Sequence, residues 1–397
     1  MKKIRVSKAL IISFVWAFVF ISLFQKSRYD LRRESDIEFF DGDIASDVGT
    51  LSCKDINIYN SRNLGLAHLI DMDGNVLHSW SANKGPWLHI EMSDKGDLFV
   101  NVKDEVLMKL DWDSNIIWEN SSRFHHDIGI AENGDIYSLT RGRLDVPYQS
   151  TTIPILNDYI VILSPDGTIK KSVSVFKLFG DRIPKEVFDE IAEYLEEHPD
   201  ERNDGFMIGK GKPFDLFHAN SLEITTKDIE GVSKRGNVLV SLRALNLIVI
   251  IDLEQEEVVW TWGEGFLSKQ HHPTVLDNGN ILIFDNEGNN GYSRVVEINP
   301  LSLEAEWVYQ TTPPENFYSQ LRGGNQRLPN GNTLITESDK GHVFELTKEG
   351  ETVWEFWNPA FDEETNERAP IYRMMRLDTQ VVRKLPIAQQ VCENSSS

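Results

Sequence analysis

The stretch Val258–Asn286, VVWTWGEGFLSKQHHPTVLDNGNILIFDN, decides the fold. Trp260 and Trp262 close a strand-like run, a loop delivers Gln270, His271 and His272, and Asp277-Asn278-Gly279-Asn280 opens the next strand pair. Asn-Gly between apolar runs predicts a tight hairpin of type I′, which needs positive φ at both central residues. The same grammar recurs upstream, where Phe124-His125-His126-Asp127 precedes Glu132-Asn133-Gly134-Asp135 and the run Ile136-Tyr137-Ser138-Leu139. His126 stands as far before Asn133 as His271 before Asn278, so the spacing sets these two imidazoles at equivalent points of one repeat. His125 and His272 are the alternative register.

Outward from these copies, one unit recurs six times. The first runs from Ala67 to Trp80, the second (LMKLDWDSNIIWE) ends at Trp118, and the third (YIVILSPDGTIKKSV) turns at Asp166-Gly167 without a Trp. The fourth ends at Trp260 and Trp262, the fifth at Trp307 and the sixth at Trp354. Most are followed by a second hairpin on a Gly turn, as at Lys95-Gly96-Asp97 and Asn330-Gly331-Asn332. Two hairpins in a period of roughly 40 to 50 residues make a four-stranded antiparallel blade. Six copies predict an all-β, six-bladed β-propeller over 55–370, with Asp55–Asn60 as an N-terminal strand completing the last blade. A β-sandwich is the competing architecture, and it does not account for six in-phase signals. Residues 371–397 are read as a tail whose Arg373 and Arg376 pair with an acidic surface. Between the third and fourth copies, PKEVFDEIAEYLEEH (Pro184–His198) carries apolar residues at helical spacing, a helical insertion leading into Phe217-His218-Ala219-Asn220. A lid over the channel and a surface ornament are both open for it.

A net charge of −22 over 397 residues argues against nucleic acid as a partner. Lys2, Lys3, Arg5 and Lys8 precede the apolar run Ala9–Phe24, so 1–26 is expected to be a signal segment or, with no small-residue cleavage site after it, a retained membrane anchor. Residues 27–54 read as a tether. This places the soluble body in the periplasm or another extracytoplasmic space. Cys53 and Cys392 are the only cysteines, and in an exported chain they are able to form one bridge between the two ends.

Three blades deliver an imidazole at comparable points, namely His126, His218 and His271, and Arg243 follows a strand in the same region. Residues at matched positions of different blades meet at the propeller axis. Such a cluster serves either a neutral imidazole acting as nucleophile, with the others stabilising anionic oxygens, or three imidazoles holding a metal with an open position. The guanidinium separates the two, because it suits an oxyanion and repels a divalent cation. A binding module for an anionic ligand and a metal-dependent hydrolase remain the competing functions.

The ordered motifs FHHDI at Phe124, FHANS at Phe217, SLR around Arg243, QHHPTVLDNGNILIFDN at Gln270, YSRVVEI at Tyr292 and GGNQRLPNGNTLI at Gly323 resemble the arylsulfate sulfotransferase family over Asp55–Pro359. The resemblance implies a propeller that moves a sulfuryl group from an aryl sulfate to a phenol, with neither a nucleotide sulfate donor nor a cofactor. It implies a ping-pong reaction in which His271 carries the group as sulfohistidine. His126, His218 and Arg243 would bind the sulfuryl oxygens and stabilise the phenolate, with Asn220 as a further donor to substrate. Read from the residues alone, Asn286 either lines the channel, where it would contact substrate, or caps a turn. A bound metal is not expected.

Overall fold

The computed structural model describes residues 52–61, 64–203, 213–287, 291–361 and 366–393. The expected anchor, 1–26, and nearly all of the tether, 27–54, lie outside them. Among the described residues no helix is long and apolar enough to cross a membrane.

Six four-stranded antiparallel sheets form the body, a six-bladed β-propeller. In chain order after the closing blade, their inner strands are Trp87–Met92, Phe124–Ile130, Ala219–Ile224, His271–Val275 and Gly324–Arg327. The closing blade, numbered first here, takes Asn57–Ser61, Leu66–Ile70 and Val76–Ser81 from the N-terminal side. Its inner strand, Ile371–Arg376, comes from the C-terminal side. The expected boundary at 370 is therefore corrected: the supposed tail begins with a strand at the hub. Asn57 does join that blade, but as its second strand. Arg373 and Arg376 are also not surface residues. Arg373 is buried against Asp127 at 3.1 Å, and Arg376 against Glu345 at 3.0 Å. Ser52–Cys53, assigned to the tether, pairs instead with Cys392–Glu393, and Cys53 is disulfide-bonded to Cys392 across 339 residues of sequence.

The hairpin at Asn278-Gly279 also departs from expectation. Only Gly279 has a left-handed φ, +86°, while Leu276 N–H and C=O both close the loop, to Asn280 O and Gly279 N–H. This is a type I turn followed by a glycine bulge, in which one residue rather than two needs positive φ.

Apolar side chains of neighbouring blades fill the wedges between sheets, as where Leu239, Ile248 and Ile250 meet Ile281, Ile283 and Val296. At the outer edge each blade's fourth strand donates a side-chain hydrogen bond to a turn carbonyl of the next blade. Trp118 Nε1 reaches Pro165 O (3.0 Å), Trp260 reaches Pro300 O (3.0 Å), Trp307 reaches Lys348 O (2.8 Å) and Trp354 reaches Met72 O (2.7 Å). Where the third copy lacks a Trp, Lys171 Nζ bonds Leu253 O; at the first seam His78 Nε2 lies 2.9 Å from Trp112 O, and Trp80 is buried behind it.

The third blade is atypical. Its second and third strands, Ile136–Tyr148 and Thr151–Leu163, run 13 residues each and pair with each other well beyond the blade, because the first strand pairs only as far as Thr140. The overhang lies at the mouth where inner strands begin. The helix Lys185–Glu197, between the third and fourth blades, buries Ile191 and Leu195, and its Phe188 ring lies 5.6 Å from Tyr148 on the overhang.

Candidate active site

In an antiparallel blade the start of the inner strand and the end of the second strand lie at the same mouth, as the pairs Ala219 with Leu242 and His271 with Phe284 record. His126, His218 and His271 sit at or beside the starts of three inner strands; Arg243 and Asn286 follow the ends of two second strands. All five therefore face one mouth. The rings of His126 and His218 are 5.3 Å apart, and His271 is within electrostatic reach of both His218 and Arg243. Backbone strain marks the same places, with φ of 60° at His126 and 48° at His218, conformations that a folded surround must enforce.

Equal spacing to the Asn-Gly turn turns out not to mean equal position. His271 pairs with Phe284 as His125, not His126, pairs with Leu139. The third blade carries one more residue in its bulge, Asp127, so His126 is pushed out of the ladder toward His218. Its neighbour His125 is buried, with Nε2 3.2 Å from Asp158. His272 is likewise turned away, its Nδ1 accepting from Asn325 N–H at 3.1 Å. It lines a separate cavity of about 680 Å³ with Asp127, Glu223 and Arg373, at the end where the inner strands finish.

Each imidazole of the cluster has its Nδ1 engaged by a different group. Asn286 Nδ2 donates to Ser319 O (2.7 Å) and Arg322 O (2.5 Å), so its Oδ1, 2.8 Å from His271 Nδ1, must accept. His271 thus carries its proton on Nδ1 and a lone pair on Nε2. Burial holds this ring well below the ordinary imidazole range, and Arg243 acts in the same direction. His126 Nδ1 is 3.0 Å from the Tyr372 hydroxyl, and burial followed by the charges of His125 and His218 also holds it well below that range. His218 Nδ1 is 2.5 Å from Asp215 Oδ2.

Arg243 is half-buried, and its backbone N–H bonds the carbonyl of His218 at 3.2 Å. Its guanidinium makes no ion pair at contact distance among the described residues, unlike Arg141, which is paired with Asp104 at 2.5 Å. The negative charge acting on it is that of Asp215, the partner of His218.

The two asparagines expected to contact substrate have their side-chain N–H groups engaged within the protein. Asn286 orients His271, and Asn220, fully buried, donates to Gln270 O at 2.8 Å, bracing the peptide ahead of His271. Tyr372 and Asp215 were not singled out from the sequence. Asp215 stands three residues before His218, a spacing that was there to be read, while Tyr372 lies past the presumed end of the propeller. Among the described residues no group of three or more His, Cys, Asp or Glu side chains is placed to hold a metal ion.

Fold and site together define a β-propeller with three imidazoles and a guanidinium gathered at one mouth of its axis. A family model described as arylsulfotransferase (ASST) matches residues 89–359, and the chain belongs to that family. None of the curated proteins compared with it matches. Among solved structures, it is similar to a protein of unknown function from Bacteroides caccae, at 13% identity and a TM-score of 0.53, covering 82% of this chain and 99% of that one. It is also similar to virginiamycin B lyase from Staphylococcus aureus, at 12% identity and a TM-score of 0.46, covering 83% and 94%. At such identities the likeness concerns the fold alone.

Proposed function

We propose that this protein transfers a sulfuryl group from an aryl sulfate to a phenol through a covalent sulfohistidine at His271. The observation that carries this reading is the orientation of His271, whose Nδ1–H is held by Asn286, leaving the lone pair on Nε2, while Arg243 acts electrostatically on the ring and makes no ion pair at contact distance among the described residues. In the first half-reaction Nε2 bonds to sulfur, and the bond from sulfur to the aryl oxygen breaks with its electron pair leaving on oxygen. In the second, a phenol oxygen bonds to sulfur and the electrons of the N–S bond return to Nε2. Arg243 and His126 meet the negative charge on the sulfuryl oxygens as it redistributes, which is worth more in a site shielded from water. Splitting one displacement into two through a nitrogen nucleophile lowers each barrier.

Intact mass after mixing with p-nitrophenyl sulfate in the absence of acceptor tests this. One added SO₃, located on His271 and missing from His271→Asn, is the expected result. A wild-type protein that binds the ester and gains no mass would be an anion-binding module. The basic and apolar N-terminal run and the Cys53–Cys392 bond support a further proposal, that the body works outside the cytoplasm on a membrane anchor. Protease digestion of intact cells and spheroplasts checks it, since a body digested in neither would be cytoplasmic.

A further inference from the structure

We infer that Asp215 is the positioning residue that makes His218 the acid and base of the transfer, and that the segment between the third and fourth blades delivers this pair to the site. The inference rests on the sulfotransferase reading and goes beyond it, since it assigns the proton on the phenol oxygen.

Of the three imidazoles, only His218 has its Nδ1 against a carboxylate, at 2.5 Å; the other two face an amide and a phenol. A ring that gains and loses a proton needs its positive form met by a fixed negative charge, and Asp215 supplies one. The contact also fixes Nδ1 as the donor. Proton exchange is left to Nε2, for which the structure shows no partner among the described residues. Asp215 Oδ1 likewise has no hydrogen-bond partner there, so the carboxylate is committed to His218. His126, 5.3 Å away, and His271 are both kept neutral by burial, which suits them as donor and nucleophile rather than as proton carriers. Arg141, Arg243, His125, His126 and His271 are the other charged or titratable groups facing the pair. Although burial alone would raise Asp215, the charge and hydrogen bond of His218, with Arg141 and His125, bring it below the usual carboxylate range, so it stays ionised.

Delivery is a property of the fold. Phe214 O accepts from Leu156 N–H at 2.9 Å, Asp215 bridges to Leu156 on the overhanging hairpin, and the Phe214 ring packs on Tyr194 of the helix at 5.6 Å. The inserted segment thus ends by locking the residue before Asp215, and His218 stands immediately ahead of the fourth blade's first strand at Ala219. In the first half-reaction His218 Nε2–H passes its proton to the departing aryl oxygen as the S–O bond breaks. In the second, neutral Nε2 takes the proton of the incoming phenol as the O–S bond forms. His218 ends as it began.

A departing group that is stable as an anion needs no proton, and this separates the two readings. Single-turnover labelling of His271 is measured in wild type, Asp215→Asn and Asp215→Glu, with p-nitrophenyl sulfate and with unactivated phenyl sulfate. Asp215→Asn is expected to label within about threefold of wild type from the nitrophenyl ester. From phenyl sulfate it should fall about 100-fold, with Asp215→Glu recovering part of the loss. Equal losses from both donors, or none from either, overturn the assignment of Asp215. Absence of label in the wild type overturns the sulfotransferase reading instead, and the nitrophenyl reaction shows in the same sample that the variant is folded.

Discussion

The outer seams and the hub are built on opposite rules. At the rim, six blades repeat one bond: a donor in the middle of the fourth strand reaches the turn carbonyl of the next blade, whether the donor is Trp, Lys or His. At the hub, six inner strands that share a backbone plan carry different side chains, and no two imidazoles of the cluster have the same Nδ1 partner. Repetition at the edge closes the ring, which leaves the centre free to diversify. Changes at the hub should therefore alter chemistry more than folding, and changes at the rim the reverse.

Asn286→Ala is the strongest challenge to that division, because the side chain serves both. Removing it frees the His271 tautomer and should slow labelling of His271 about 100-fold. It also deletes the buried amide that donates to Ser319 O and Arg322 O, at about 2 kcal/mol of stability, read by denaturant unfolding. A variant with full labelling rate would show that Asn286 does not set the reactive nitrogen.

A smaller effect comes from pH. Burial holds His125, His126, His271 and His272 below their ordinary value, so the folded state keeps them neutral where the unfolded chain protonates them. Stability is then fully present above about pH 6.5 and falls below it, by up to about 1.4 kcal/mol per pH unit for each ring. Glu223, pushed up to about 8 by burial, works the other way, because between about pH 4.5 and 8 the folded state holds a proton that the unfolded chain has lost. Unfolding midpoints at pH 7, 6 and 5 should decline, and more steeply in Glu223→Gln. A flat profile in both would contradict the buried neutral hub.

The rim predicts the least. Trp260→Phe keeps a ring in place and deletes one donor, so about 1 kcal/mol of stability should be lost with labelling of His271 unchanged. A labelling rate that dropped along with stability would mean that seam and hub are mechanically coupled.

This division also explains what was legible in the sequence. The blade count and the ends of the fourth strands follow from in-phase Trp and Gly turns, because the rim is where every copy meets the same demand. Hub positions were legible only as residue types. The inserted Asp127 shifts the pairing, so that His126 keeps its distance from Asn133 while leaving the ladder. Asp215 escaped because it ends the insertion and belongs to no blade, and Tyr372 because it lies on the one inner strand that follows the last Trp copy in sequence and is completed by strands from the other end of the chain. Arg373 and Arg376 were misread for the same reason, since a strand with arginines in register with buried carboxylates looks like a charged tail until its partners are known.

That closing strand has a consequence for biosynthesis. Tyr372 meets His126 across 246 residues of sequence, so the phenol is among the last parts of the body to leave the ribosome. A nascent chain that has already produced five blades still holds His126 without its anchor. On the transfer proposed above, competence for chemistry is in this way tied to completion, and a prematurely terminated polypeptide would be idle as well as open-ringed.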